Sequence, residues 1–163
     1  MLRSKETLKI TQGAVIAALY VLLTMLFQPI SFGAVQLRVA EALTILPLFT
    51  PAAVPGLFVG CLLANILGGG IVLDVVFGSL ATLIGAWIGY KLRANRWLVP
   101  IPAILANTLI IPFVLKYGYG VADLGLPLIA AYILLGEIGG CYLLGELLAS
   151  AMLHRHILFN TDK

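Results

Sequence analysis

Apolar residues along this chain come in long blocks, and polar residues collect in the short gaps between them. The blocks lack the two-residue alternation that marks the strands of a membrane barrel. At about 20 apolar residues per crossing, they predict helices near Leu8–Phe27, Ala34–Phe49, Ala52–Leu67, Ile71–Tyr90, Trp97–Leu115 and Leu128–Leu153. The second and third are short. TPAAVPG at 50–56 separates them, and its two prolines and glycine favour a tight helical hairpin over one long helix, with a re-entrant pair as the alternative. The expectation is an all-α integral membrane protein, a six-transmembrane-helix bundle forming one domain over residues 1–163.

Composition strengthens that reading. The chain is 61% hydrophobic and 10% charged, where soluble domains run roughly 45–50% and 25%. In hydrocarbon every backbone polar group must be paired inside the protein, which a helix does within itself. The basic N-terminus with Arg3, Lys5 and Lys9 precedes an apolar run without a small-x-small cleavage site, so it reads as a retained span and not as a signal peptide. In a six-span arrangement Arg3, Lys5, Lys9, Lys91, Arg93, Arg96, Arg155 and Lys163 share one side, and only Arg38 and Lys116 fall on the other. The positive-inside rule then puts both termini in the cytoplasm. Trp87, Tyr90 and Trp97 would form the inner aromatic belt, with Tyr117 and Tyr119 outside. The net charge of +3 therefore reports topology and does not point to nucleic acid.

Ionisable groups inside spans cost roughly 2.5–3.5 kcal/mol each, so each needs a reason. They are Arg38, Glu41, Asp74, Glu137 and Glu146, with Asn65 and Asn107 as neutral company. By depth along the helices, Glu41 and Asp74 enter from the outer edge and Asn65 lies in the outer half of its span. Asn107 and Glu137 lie near mid-membrane, so all could line one outward-facing cavity. Arg38, Glu41 and Thr44 follow at i, i+3 and i+6, on one face. The run from Arg38 to Pro51 is too short to span as an α-helix, which predicts a helix that starts before Arg38. Glu146, nine residues past Glu137, points the other way and reads as an interfacial or helix-pairing carboxylate near the cytoplasmic end.

Salt bridges that fix packing, such as Arg38 with Glu41, are the simplest account of the cluster. One arginine cannot neutralise Glu41, Asp74 and Glu137 together. Unpaired carboxylates must take up protons or await a cationic or hydrogen-donating guest, which favours a ligand site. Cys61 and Cys141 lie in apolar runs with no CxxC and no nearby histidine, so they read as small buried residues, and no metal or cofactor is expected. Small residues form a further pattern: Gly13, Ala14, Ala17 and Ala18 in the first span, and Gly78, Ala81, Gly85 and Gly89 in the fourth, let helices approach closely.

Six short spans, Ala14-xxx-Ala18 in the first helix and no ATPase motif resemble the substrate-capturing S component of energy-coupling-factor (ECF) vitamin transporters. More specifically, LRVAEALTILP at 37–47, Asn65 ahead of a glycine run, and DVVFGSLATLIGAW at 74–87 resemble the queuosine-precursor transporter family QueT. The resemblance covers nearly the whole chain. It implies a bacterial cytoplasmic-membrane protein that binds its ligand from outside, while a transmembrane coupling protein and two cytoplasmic ATPases supply the work. Ala14 and Ala18 match the family's docking motif for the coupling protein, and the loop from Pro29 to Leu37 would act as a lid.

The implied ligand is a deazaguanine such as preQ1, preQ0 or queuine. Its pairing edge offers adjacent N–H donors to a carboxylate such as Glu41 or Glu137, and its ring oxygen needs a donor such as Asn107, Asn65 or Arg38. An aminomethyl form adds a cation that would suit Asp74.

Three other functions fit parts of the pattern. An ion-coupled secondary transporter of a small polar or cationic metabolite would also bury carboxylates. An intramembrane enzyme lacks support, because no GxxxxGK[ST] loop, HExxH or GxS serine with a base is present and His154 and His156 sit on the tail. A scaffold is favoured only by the small-residue face.

Overall fold

The computed structural model describes residues 2–31, 37–121 and 124–155. The expected start of the second span at Ala34, the middle of the lid loop, and His156 and Lys163 lie outside these residues.

Among the described residues every regular element is a helix. The chain's elements are α1 (Leu2–Leu26), the single-turn α2 (Gln28–Ser31), a 3₁₀ helix (Val39–Leu48), α3 (Ala53–Leu67), α4 (Val72–Lys91), α5 (Ile101–Phe113), α6 (Leu126–Glu137) and α7 (Gly145–Arg155). A π-helical turn, Val114–Gly118, extends α5, and a longer one, Ile138–Leu144, joins α6 to α7 without a break. Among the described residues four helices are long and apolar enough to cross a membrane: Ser4–Leu26, Val72–Lys91, Arg96–Gly118 and Leu126–His154. Val39–Leu48 and Ala53–Leu67 are apolar but shorter. The chain is a multi-pass membrane protein.

The second helix departs from expectation. It does not begin before Arg38: Arg38 is extended, with φ −90° and ψ 106°, and the helix opens at Val39. A different helix type narrows the shortfall without closing it against a hydrocarbon core of about 30 Å. At about 2.0 Å per residue a 3₁₀ helix of this length rises about 20 Å, against about 15 Å as α-helix. Runs of this type beyond 3–4 residues are uncommon. Here tertiary packing sustains one of 10 residues, because the segment sits in the middle of the bundle against α1, α4, α7 and the Ile138–Leu144 turn. Ala40 through Pro47 are all buried. Three residues per turn also stacks Glu41 and Thr44 on one edge, below Arg38.

The small-residue patterns resolve into packing contacts. A Cβ on Gly56 would lie 2.7 Å from the Gly13 carbonyl, and one on Gly85 would lie 2.5 Å from the Ala103 Cα. Only glycine permits α1 to seat on α3, and α4 on α5, at that distance. The first-span pattern therefore divides: Gly13 and Ala17 face α3, while Ala14 and Ala18 are exposed beside Val15 and Leu19. A shallow apolar groove of about 480 Å³ runs between α1 and α3, past Gly13, Ala14, Ala17, Pro51 and Pro55.

Candidate functional site

Polar side chains gather at one end of the bundle, away from the basic cluster of Lys91, Arg93 and Arg96. The 3₁₀ helix supplies Glu41, 1% exposed, with Arg38 just ahead of it. α1 contributes Tyr20 from its distal third, and the Tyr20 hydroxyl donates to Glu41 Oε1. Thr44 Oγ1 donates to the Glu41 backbone carbonyl at 2.6 Å, which ties the turn that carries the carboxylate.

The π-helical turn brings in the second carboxylate. Glu137 ends α6, and Cys141 one turn later donates its thiol to Glu137 Oε2 at 3.0 Å. The same thiol reaches Glu41 Oε2 at 3.8 Å, so Cys141 sits between the two acids. Gly140 permits this approach: a Cβ there would lie 2.7 Å from the Arg38 carbonyl and 3.4 Å from Glu41 Cβ. π-helical turns within α-helices occur frequently at functional sites.

On the opposite side stand Asn65 at the end of α3 and Asp74 in the first turn of α4. Arg38 Nη2 lies 3.7 Å from Asp74 Oδ2, and the Tyr119 hydroxyl donates to the same oxygen at 3.0 Å. Tyr119 in turn accepts the Ile71 backbone N–H at 3.3 Å, closing the α3–α4 connection onto the end of α5. Burial and the Asp74 carboxylate raise the Tyr119 phenol above its ordinary range, so it remains a donor at neutral pH. Asn65 Nδ2 donates to the Asp74 backbone carbonyl at 3.3 Å. Asn107 on α5 is buried, and its Nδ2 comes close to Glu137 without a hydrogen-bond partner.

The six residues singled out from sequence, Arg38, Glu41, Asn65, Asp74, Asn107 and Glu137, are thus all buried and belong to two connected groups. Arg38 faces Asp74 and links them. Glu146 stands apart, 3.0 Å from Arg96 Nη2. Sequence reasoning missed Tyr20, Cys141 and Tyr119 as partners of the acids. The thiol is not inert packing, as its apolar setting suggested. Its i, i+4 spacing from Glu137 was the one available signal.

Glu41, Glu137 and Cys141 place ligand atoms within 4.8 Å of one another, close enough to hold a cation. Their chemistry suits a different role. The thiol and the Tyr20 hydroxyl already donate into the carboxylates, and Arg38 places a positive charge nearby. The group presents a buried acceptor surface with the Asn107 amide beside it.

Comparisons with known proteins bear on the family of the chain. The family model described as QueT transporter matches residues 10–154. The "Queuosine precursor transporter QueT" of Lactococcus lactis subsp. cremoris (strain MG1363) is 36% identical over 93 residues, 56% of this chain and 54% of that protein. The match thus spans about half the length of that curated relative. No solved structure matches the chain.

Proposed function

This chain belongs to the QueT transporter family, and from that premise we propose that it is the substrate-binding S component of an ECF-type ABC importer, capturing a deazaguanine precursor of queuosine from outside. One observation carries the ligand reading. Within an apolar bundle, Asn107 Nδ2, Asn65 Oδ1 and Asp74 Oδ1 are buried without hydrogen-bond partners. Unmade bonds of this kind are costly in a folded protein and are met when a guest supplies the missing donors and acceptor. A guanine-like edge has that mixture: adjacent N–H groups for Glu41 or Glu137, and a ring oxygen for Asn107.

In this reading the 3₁₀ helix and α3 are the second and third of six crossings, and both termini face the cytoplasm. The stacking of Lys91 on Trp87, Arg93 on Tyr90 and Arg96 on Trp97 at one end supports an interfacial, cytoplasmic position for that end. The chain itself has no catalytic role, and ATP hydrolysis belongs to partner subunits. The exposed small side chains of Ala14 and Ala18 leave the α1 surface open to a coupling protein.

Thermal unfolding of the purified chain against a panel of deazaguanines, guanine and common vitamins tests the ligand. A guest that binds only the folded state stabilises it by about 2.7 kcal/mol at 100 times its Kd, and a panel without any shift from a deazaguanine refutes the substrate. Ala14→Leu and Ala18→Leu should abolish co-purification with coupling and ATPase subunits while ligand still raises the melting temperature. A complex that survives both substitutions refutes the docking face. Uptake by the chain alone under a proton or sodium gradient would instead identify an ion-coupled carrier.

A further inference from the structure

The packing between α4 and α5 changes character along its length. Toward Arg96 a Cβ on Gly85 would meet the Ala103 backbone, and one on Gly89 would lie 2.6 Å from the carbonyl of Val99, just ahead of α5. That half cannot part without unseating the helices. Toward Arg38 the join is polar. The Tyr119 hydroxyl, just past the π-helical turn that extends α5, donates to Asp74 Oδ2 at 3.0 Å and accepts the Ile71 N–H at 3.3 Å. Asp74 passes the link inward to Arg38 Nη2 at 3.7 Å, an ion pair beyond hydrogen-bond reach. Water can replace such contacts, so little net free energy holds them, whereas a packed seat has no substitute.

These contacts run from the surface to the buried acids. Tyr119 is 41% exposed, Asp74 and Arg38 are buried, and behind them Glu41 and Cys141 are sealed, at 1% and 0%. Two glycines in the left-handed region bracket the join: Gly69, at φ 76°, precedes Ile71, and Gly120, at φ 69°, follows Tyr119. A Cβ at either would meet nothing within 4 Å, so glycine serves there for its backbone conformation and not for space.

We infer that Tyr119, Asp74 and Arg38 form a clasp that closes the Arg38 end of the bundle, and that solutes reach Glu41 and Cys141 when it opens. Tyr119 is its outer, positioning residue. It holds Asp74 against Arg38 and ties the α3–α4 connection to the end of α5. The inference rests on the proposed ligand site for the purpose that opening serves. The opening itself can be detected without any ligand.

The test uses Cys141 as a reporter in the full chain in nanodiscs, where both membrane faces are accessible. A charged maleimide is added, and peptide mass separates modification of Cys141 from that of Cys61. Wild type should react slowly at Cys141. Tyr119→Phe should react there at least about tenfold faster, the factor that one lost bond to a charged group represents, with helical circular dichroism unchanged. Asp74→Asn should do the same, and Tyr119→Phe keeps the test decisive if Asp74→Asn fails to fold. Glu146→Gln, which weakens the ion pair at the other end, should react as wild type does. Equal rates for wild type and Tyr119→Phe overturn the clasp. An equal acceleration in Glu146→Gln also overturns it, because that reports general loosening. In stopped flow, preQ1 should enter and leave Tyr119→Phe faster than wild type. If preQ1 does not bind wild type, the proposed substrate falls and the maleimide rates still decide the clasp.

Discussion

The two ends of the bundle bury carboxylates in contrasting ways. At the Arg96 end, Glu146 faces one full charge, with Arg96 Nη2 at 3.0 Å, although neither Glu146 oxygen makes a hydrogen bond of good geometry, and Arg96 donates to Ser150 Oγ at 3.1 Å. At the Arg38 end, Glu41, Asp74 and Glu137 have, among the described residues, neutral donors besides Arg38, namely Tyr20, Cys141 and Tyr119. Acid and base are matched one to one at the Arg96 end, and acid is in excess at the Arg38 end, where the proposed guest would bind. On the proposed function, the same residue type does structural work at one end and recognition at the other, and the difference lies in what faces it.

Substitutions should separate the two ends. The largest effect is expected from Glu41→Gln, which removes a charged acceptor from the centre of the site. At about 1.5–3 kcal/mol for a bond to a charged group, deazaguanine affinity should fall about 10- to 150-fold by calorimetry. Next, Gly140→Val drives a side chain into the Arg38 carbonyl. Overpacking of that kind costs about 1–3 kcal/mol, seen as a lower melting temperature, together with weaker binding as the 3₁₀ helix shifts. Asn107→Leu removes the free N–H and should weaken binding about tenfold, with little change in melting temperature. The smallest effect belongs to Glu146→Gln at the other end. Arg96 is partly exposed, so the pair is worth about 1 kcal/mol at most, and ligand affinity should stay as in wild type. Loss of binding in Glu146→Gln would erase the contrast between the ends.

The sequence exposes much of this design because a charge in an apolar run is expensive and therefore conspicuous. Arg38, Glu41, Asp74, Glu137 and Glu146 are visible for that reason, and helical geometry alone sends Glu146 to the far side. The long helices are equally legible: Ile71–Tyr90 was expected and Val72–Lys91 is found. The 3₁₀ helix was not legible, since its type follows from packing against Gly140 and its neighbours and not from local propensity. Tyr20 and Cys141 stayed hidden because a phenol and a thiol count as apolar in a hydropathy pattern. Their polar atoms matter only once the fold sets them beside Glu41, 21 and 100 residues along the chain.

The central claim is that the acid-rich end is a ligand site and the Arg96 end is a structural one. Calorimetric titration of preQ1 into wild type, Glu41→Gln and Glu146→Gln, each shown to be folded by helical circular dichroism, tests it most directly. The account predicts tight binding for wild type and Glu146→Gln and a loss of at least about tenfold for Glu41→Gln. Equal affinities for all three proteins, or the greater loss in Glu146→Gln, would contradict it.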